Sequence, residues 1–415
     1  MLSIDKIFFW LLLFVVIVEI PALNFVTFSD ELAVMLFLLV VALDLVVNRD
    51  LARYKALFVV EGVFLFYFFF SVFFRHYNTT AAIANDFILQ QKAFVPFLIA
   101  YAIAPQFTSG MKTVLKVASV AVAAMLVVIF ATGMMMPVLG HPLHYGTIAL
   151  SMSMLYLYCS LDGDGKVSGL DLTVALAVLS VGLLSTRSKF YGEFVVALFM
   201  FLIYRPGMVR HLSLKYAVVL LVGVAMVIVV AWQKISYYFI FGNSNTFDPS
   251  NMYAFARPAL YVGMYLVLMD YPVFGSGFAS FATHSSSPMV NYSGVYGEYG
   301  LDMVWGLSYN KPDFISDTYY PVLAQFGFVG IALYVCFWRW IWSKLRVALH
   351  VGRIVEFSIG VIAIAFVLIE SVAGATILQI GGYVPMMLLG MIVGKYRTMG
   401  KKETETILNN EYIQN

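Results

Sequence analysis

Ser316-Asp317-Thr318-Tyr319-Tyr320-Pro321-Val322-Leu323-Ala324-Gln325-Phe326-Gly327-Phe328-Val329-Gly330 carries the chain from a long polar segment into an apolar run that meets no charge until Arg339. A helix needs about 20 apolar residues to cross the hydrocarbon core of a bilayer, so the chain enters a membrane here. Upstream lies the polar segment itself, rich in Ser, Tyr, Asn and Gly. It is introduced by Phe255-Ala256-Arg257-Pro258 and by Asp270-Tyr271-Pro272-Val273-Phe274-Gly275-Ser276-Gly277. Nearly everything else reads as membrane-spanning, so this water-facing stretch is where polar chemistry has room to form.

Composition supports that reading. Of 415 residues, 62% are hydrophobic and 12% charged, where soluble domains carry roughly 25% charged residues. The expected fold class is an all-α polytopic membrane protein. About twelve spans are expected near 6–20, 32–47, 56–74, 86–104, 113–132, 143–160, 170–185, 190–204, 215–232, 319–338, 354–374 and 377–394. The first lacks a small-residue cleavage site and is read as an uncleaved span. The expected organisation is one membrane domain: helices 1–9 over residues 1–232, a large outer loop over 233–318, helices 10–12 over 319–394, and a cytoplasmic tail over 395–415. Cys159 and Cys336 both fall in apolar runs and give neither a disulfide framework nor metal-ligand spacing. The net charge of +2 says little about partners, and no nucleic-acid partner is expected.

Charge placement gives the orientation. With the N-terminus inside, 18 of the 25 Lys and Arg residues fall on inside segments, six on outside segments, and Lys92 within a span. Positive residues favour the cytoplasmic side, so both termini are expected inside, with 233–318 facing the periplasm of a bacterial inner membrane.

Cations on the outer side run against that rule and become site candidates. Arg187 and Lys189 lie in Ser185-Thr186-Arg187-Ser188-Lys189, a short turn with hydroxyls and a following helix start, which suits a phosphate; the alternative is that both reach to lipid headgroups. Arg257 begins a helix over 257–270, as a second phosphate ligand or as an interfacial anchor. Arg75 is a further outside cation. Gly275 and Gly277 read as turn glycines, because no strand–helix unit surrounds them. Asp317 precedes an apolar span, as a helix cap or as the carboxylate that positions an acceptor hydroxyl. Glu298 and His284 in the loop are weaker acid–base candidates. His141 and His144 stand three apart at a span entrance, but no acidic partner is suitably spaced nearby, and neither a metal nor another cofactor is expected. Lys92 is a costly intramembrane charge, with Glu370 as a candidate partner on another span.

Taken in order and sidedness, three motifs resemble the bacterial O-antigen polymerase and ligase family of polytopic glycosyltransferases: Ser185-Thr186-Arg187-Ser188, Arg257 through Gly277, and Asp317 through Gly330. The resemblance implies a membrane fold of the lipid-sugar-using glycosyltransferase (GT-C-like) type. It also implies a donor glycan on undecaprenyl pyrophosphate, held by Arg187 and Arg257, with a lipid-linked acceptor. Ligases of the family carry His and then Asn at the returning segment, where this chain has Ser316 and Asp317. The implied activity is therefore polymerisation of repeat units into O-antigen, capsular or exopolysaccharide, with a chain-length regulator as an expected partner. Alternatives are transfer of finished glycan to a lipid A core and, in another class, transport of lipid-linked glycans.

Overall fold

The computed structural model describes residues 3–18, 29–75, 77–204, 232 and 255–397. The expected span at 215–232, the first part of the outer loop and the tail from 398 lie outside the described residues, Trp232 apart. Among the described residues the chain is helical and has no β-strand; a lone bridge joins Ser308 and Lys311.

The first half runs through α1 (Ile4–Val18), α2 (Ser29–Asn48), α3 (Lys55–Phe74), α4 (Thr80–Ile103) and α5 (Ser109–Ala131). There follow α6 (Met135–Leu139), α7 (Pro142–Cys159), α8 (Gly169–Val181) and α9 (Ser188–Leu198). After the outer segment's α10 (Ala256–Asp270) come α11 (Gly327–His350), α12 (Ile354–Val372) and α13 (Tyr383–Lys395). Every expected span that falls on described residues coincides with helix. Among the described residues four stretches, 51–74, 109–131, 320–350 and 354–372, are long and apolar enough to cross a membrane, and a fifth is if the bent helix at 80–103 counts as one span. The stretch at 51–74 has mean hydropathy 2.3 yet is only 22% buried. Apolar side chains left outward on that scale belong in lipid, and the protein is membrane-embedded.

Local chemistry sets the helix ends. Thr79, Thr108 and Ser168 accept hydrogen bonds from the backbone N–H groups of Ala82, Met111 and Asp171, capping α4, α5 and α8. Helix α4 bends by 45° between Lys92 and Phe94. Pro96 accounts for the bend, since its ring removes the bond to, and crowds, the carbonyl four residues back. Beyond the bend, α13 lies almost backbone to backbone on α4. A Cβ at Gly390 would sit 2.3 Å from the Phe97 carbonyl oxygen, and one at Gly394 would sit 2.6 Å from that of Tyr101. This is the small-xxx-small spacing by which membrane helices approach closely.

Charge pairs collect at one end of these helices. Arg53 meets Asp44 at 3.2 Å, Lys116 meets Asp171 at 2.6 Å, and Lys395 meets Glu356 at 3.0 Å. At the opposite end sits the described part of the outer loop. Its serines are largely buried: Ser276, Ser280, Ser285, Ser286 and Ser293 have no exposed surface. They surround a core of Phe278, Phe281, Val295, Tyr296, Leu301 and Leu307 that rests on α3 and α4. What reads as a polar loop is a packed cap on the bundle.

Candidate functional site

The cap is fixed through the turn that follows Gly275. The Gly277 N–H donates to the Gln325 carbonyl at 2.9 Å, and Phe278 N–H to Ser71 Oγ at 2.8 Å. Ala279 N–H donates to Asp86 Oδ2 at 2.7 Å, and Ser280 N–H to Gln325 Oε1 at 3.1 Å. Four successive donors, the array that would cradle a phosphate, are thus satisfied by protein acceptors. Gly275 is required by close approach: its φ is +75° and a Cβ would lie 2.3 Å from the Gln325 carbonyl oxygen. The expectation of turn glycines agrees with this geometry.

A different corner of the same end of the bundle gathers the charges. Arg257 occupies the first turn of α10 beside Pro258, as its helix start predicts. Its Nε and Nη2 both point at Asp317 Oδ2, each at 2.5 Å, and its guanidinium lies 5.7 Å from the centre of the Phe314 ring. The pair is open to the surface, with side chains 38% and 29% exposed. Partial burial raises the Asp317 pKa, and Arg257, Lys189 and His141 oppose that rise.

Arg187 stands at the start of α9, after the left-handed Thr186 (φ 54°), and its backbone N–H donates to Ser185 Oγ at 3.4 Å. The guanidinium has no hydrogen-bond or ion-pair partner among the described residues, yet its charge acts on His141. His141 caps α7, its Nδ1 accepting the Leu143 N–H at 3.0 Å. A neutral imidazole used in this way keeps its proton on Nε2, so the free face of His141 is a donor. Desolvation lowers its pKa first, followed by Arg187; Lys189 and Arg257 act in the same direction and Asp317 opposes. Arg187, Lys189, Arg257, His141 and Asp317 therefore share one electrostatic neighbourhood, assembled from four separate parts of the chain.

Lys189 is committed in part. Its Nζ donates to Glu370 Oε2 at 2.8 Å and to the Ala373 carbonyl at 2.9 Å. Thr376 Oγ1 donates to the same Glu370 oxygen at 2.8 Å, and Glu193 lies buried beside Glu370. The cation observed on Glu370 is thus Lys189, where the sequence offered Lys92. An intramembrane carboxylate is expensive, and that cost was the signal by which Glu193 could have been found. His144, one turn into α7, is half-buried and feels the charges of both His141 and Glu370.

The remaining candidates lie elsewhere. Arg75 stacks on the ring of Tyr271 at 4.6 Å, and Glu298 interacts with the same tyrosine. His284 has an exposed side chain, but the protein around it, and then Lys92, lower its pKa. Lys92 itself is buried in α4. Among the described residues no three His, Cys, Asp or Glu side chains gather as metal ligands would.

Chemically, the corner offers a guanidinium without a partner among the described residues, a second guanidinium held by one carboxylate, an ammonium with a donor to spare, and an imidazole N–H. Such a set of donors can hold an anion with several oxygens, beside the carboxylate of Asp317. Compared with known proteins, the chain matches no family model and no curated sequence.

Proposed function

We propose that this protein is a membrane-embedded glycosyltransferase of about twelve spans and GT-C-like architecture. In this reading it polymerises undecaprenyl-pyrophosphate-linked repeat units at the periplasmic face of a bacterial inner membrane. The observation that carries the reading is the convergence of Arg187, Lys189, Arg257 and Asp317 around His141 at one end of the bundle.

The chemistry follows from the contacts. The donor's pyrophosphate oxygens compete with Asp317 for the Arg257 fork and take up the guanidinium of Arg187. Release of Asp317 frees a carboxylate for the acceptor hydroxyl, so donor binding switches the base on. As the acceptor oxygen bonds to the donor's anomeric carbon, the bond from that carbon to the phosphate oxygen breaks. Its electron pair leaves on the pyrophosphate, where the two guanidinium groups and the His141 N–H stabilise it, and the hydroxyl proton passes to Asp317.

The test is complementation of a strain lacking its own polymerase for the cognate glycan, with expression checked and glycan length read on a gel. Wild type restores a ladder, while Arg187→Ala and Arg257→Ala give single repeat units at normal expression. If wild type leaves single units while lipid-linked chains lengthen without it, the activity is not polymerisation.

A further inference from the structure

A cavity of about 690 Å³ opens between α3, α4 and α11. Its lining extends from Ala52, in the 3-10 turn that precedes α3, along α3 to Tyr67, roughly 22–24 Å of helix rise. Half of a bilayer with its headgroups is about 20–22 Å thick. The walls are apolar over most of this length, with Val60, Val63, Phe94 and Leu98 among them. Three cations, Arg53, Lys55 and Arg397, line the end where the sequence places the cytoplasm.

These cations are not equally engaged. Arg53 is held by Asp44 at 3.2 Å and by the carbonyls of Ala102 and Ile103, each at 2.9 Å. Arg397 spends one Nη on the Ala102 carbonyl. Lys55 is exposed and its ammonium has no partner among the described residues. Asp44 also accepts from Tyr54, and Asp50 Oδ1 accepts the Arg53 backbone N–H at 3.2 Å beside the same mouth. Among the described residues neither Lys55 nor Arg397 has a carboxylate partner, and both stand at the edge of an apolar slot about one leaflet deep.

The geometry points to a binding site for an anionic phospholipid of the cytoplasmic leaflet, one acyl chain in the slot and the phosphate between Lys55 and Arg397. Basic pockets between membrane helices on that side hold such headgroups, and each surface cation contributes about five-fold in affinity. The cavity also reaches Tyr319, two residues beyond Asp317; the proposal concerns its cationic mouth and does not depend on the glycosyl-transfer reading.

The experiment is native mass spectrometry of the full chain in mild detergent, with equimolar phosphatidylglycerol and phosphatidylethanolamine. Wild type should retain phosphatidylglycerol at least about five-fold over phosphatidylethanolamine. Lys55→Ala with Arg397→Ala should erase that preference, and Val60→Trp, which fills the slot, should lose both lipids. Elution volume and thermal unfolding confirm that each variant is folded. Equal retention of the two lipids by wild type, or an undiminished preference in the double variant, overturns the proposal. So does undecaprenyl phosphate displacing phosphatidylglycerol when added at equal concentration, because the slot then holds an isoprenoid chain.

Discussion

Two regions at the loop-covered end of the bundle look alike in sequence, and the structure separates them. The turn Gly275–Ala282 and the corner holding Arg187 and Arg257 both offer clustered hydrogen-bond donors. In the turn, the donors of residues 277–280 are already met by Ser71, Asp86 and Gln325. In the corner, Arg187 meets nothing among the described residues, and Arg257 is held by a carboxylate that an anion could displace. Spent donors hold a fold together, whereas unspent donors are available to a ligand. Damage to the turn should therefore appear as lost stability, and damage to the corner as lost activity with the fold intact.

The largest expected effect tests the corner. Arg187→Ala and Arg257→Ala should each lower transfer by about 10²–10³-fold, the usual cost of removing a donor from a developing anion. Thermal unfolding in detergent should change little. A comparable loss of stability in either variant would place these arginines with the turn.

Next comes the turn. Gly275→Ala forces a Cβ against the Gln325 carbonyl at positive φ and should cost about 3 kcal/mol or more of stability. Asp86→Ala leaves the Ala279 N–H without its acceptor, at about 1–3 kcal/mol. Both should show in unfolding midpoints before they show in turnover per folded molecule.

A pH profile sharpens the comparison further. Because burial raises the Asp317 pKa, the acid limb of activity should lie above the ordinary carboxylate value of about 3.9. Activity then falls as pH drops through the raised pKa. Lys189 opposes that rise, so Lys189→Gln should move the limb upward. Asp317→Asn should remove the limb together with most of the activity. A limb left in place by Asp317→Asn would assign the proton acceptor to another group.

The smallest effects belong to the candidates outside the corner. His284→Ala and Glu298→Gln should alter transfer by no more than about three-fold and stability by about 0.5 kcal/mol or less. Loss of activity in either, at normal expression, would move the reaction into the cap.

Much of this was legible in the sequence because it is local. Apolar run length located the helices, Pro258 after Arg257 marked a helix start, and outside cations flagged the corner. Long-range pairing was not legible. Lys189 and Glu370 are far apart in sequence and meet because α9 and α12 pack together, and Asp86 reaches the Ala279 N–H through a fold no spacing announces. Burial of the loop serines was hidden as well. Each is individually hydrophilic, and only the hydrogen bonds of the folded cap make that burial tolerable. The donor role of His141 depended on a backbone N–H two residues away, which appears only once α7 is built.

The most direct measurement uses purified protein in lipid nanodiscs with an undecaprenyl-pyrophosphate-linked repeat unit as donor and acceptor. Release of undecaprenyl pyrophosphate and growth of the glycan are followed together for wild type and Arg187→Ala. The account predicts stoichiometric release and elongation by wild type, and neither by Arg187→Ala despite intact folding. Elongation by Arg187→Ala at the wild-type rate would contradict it.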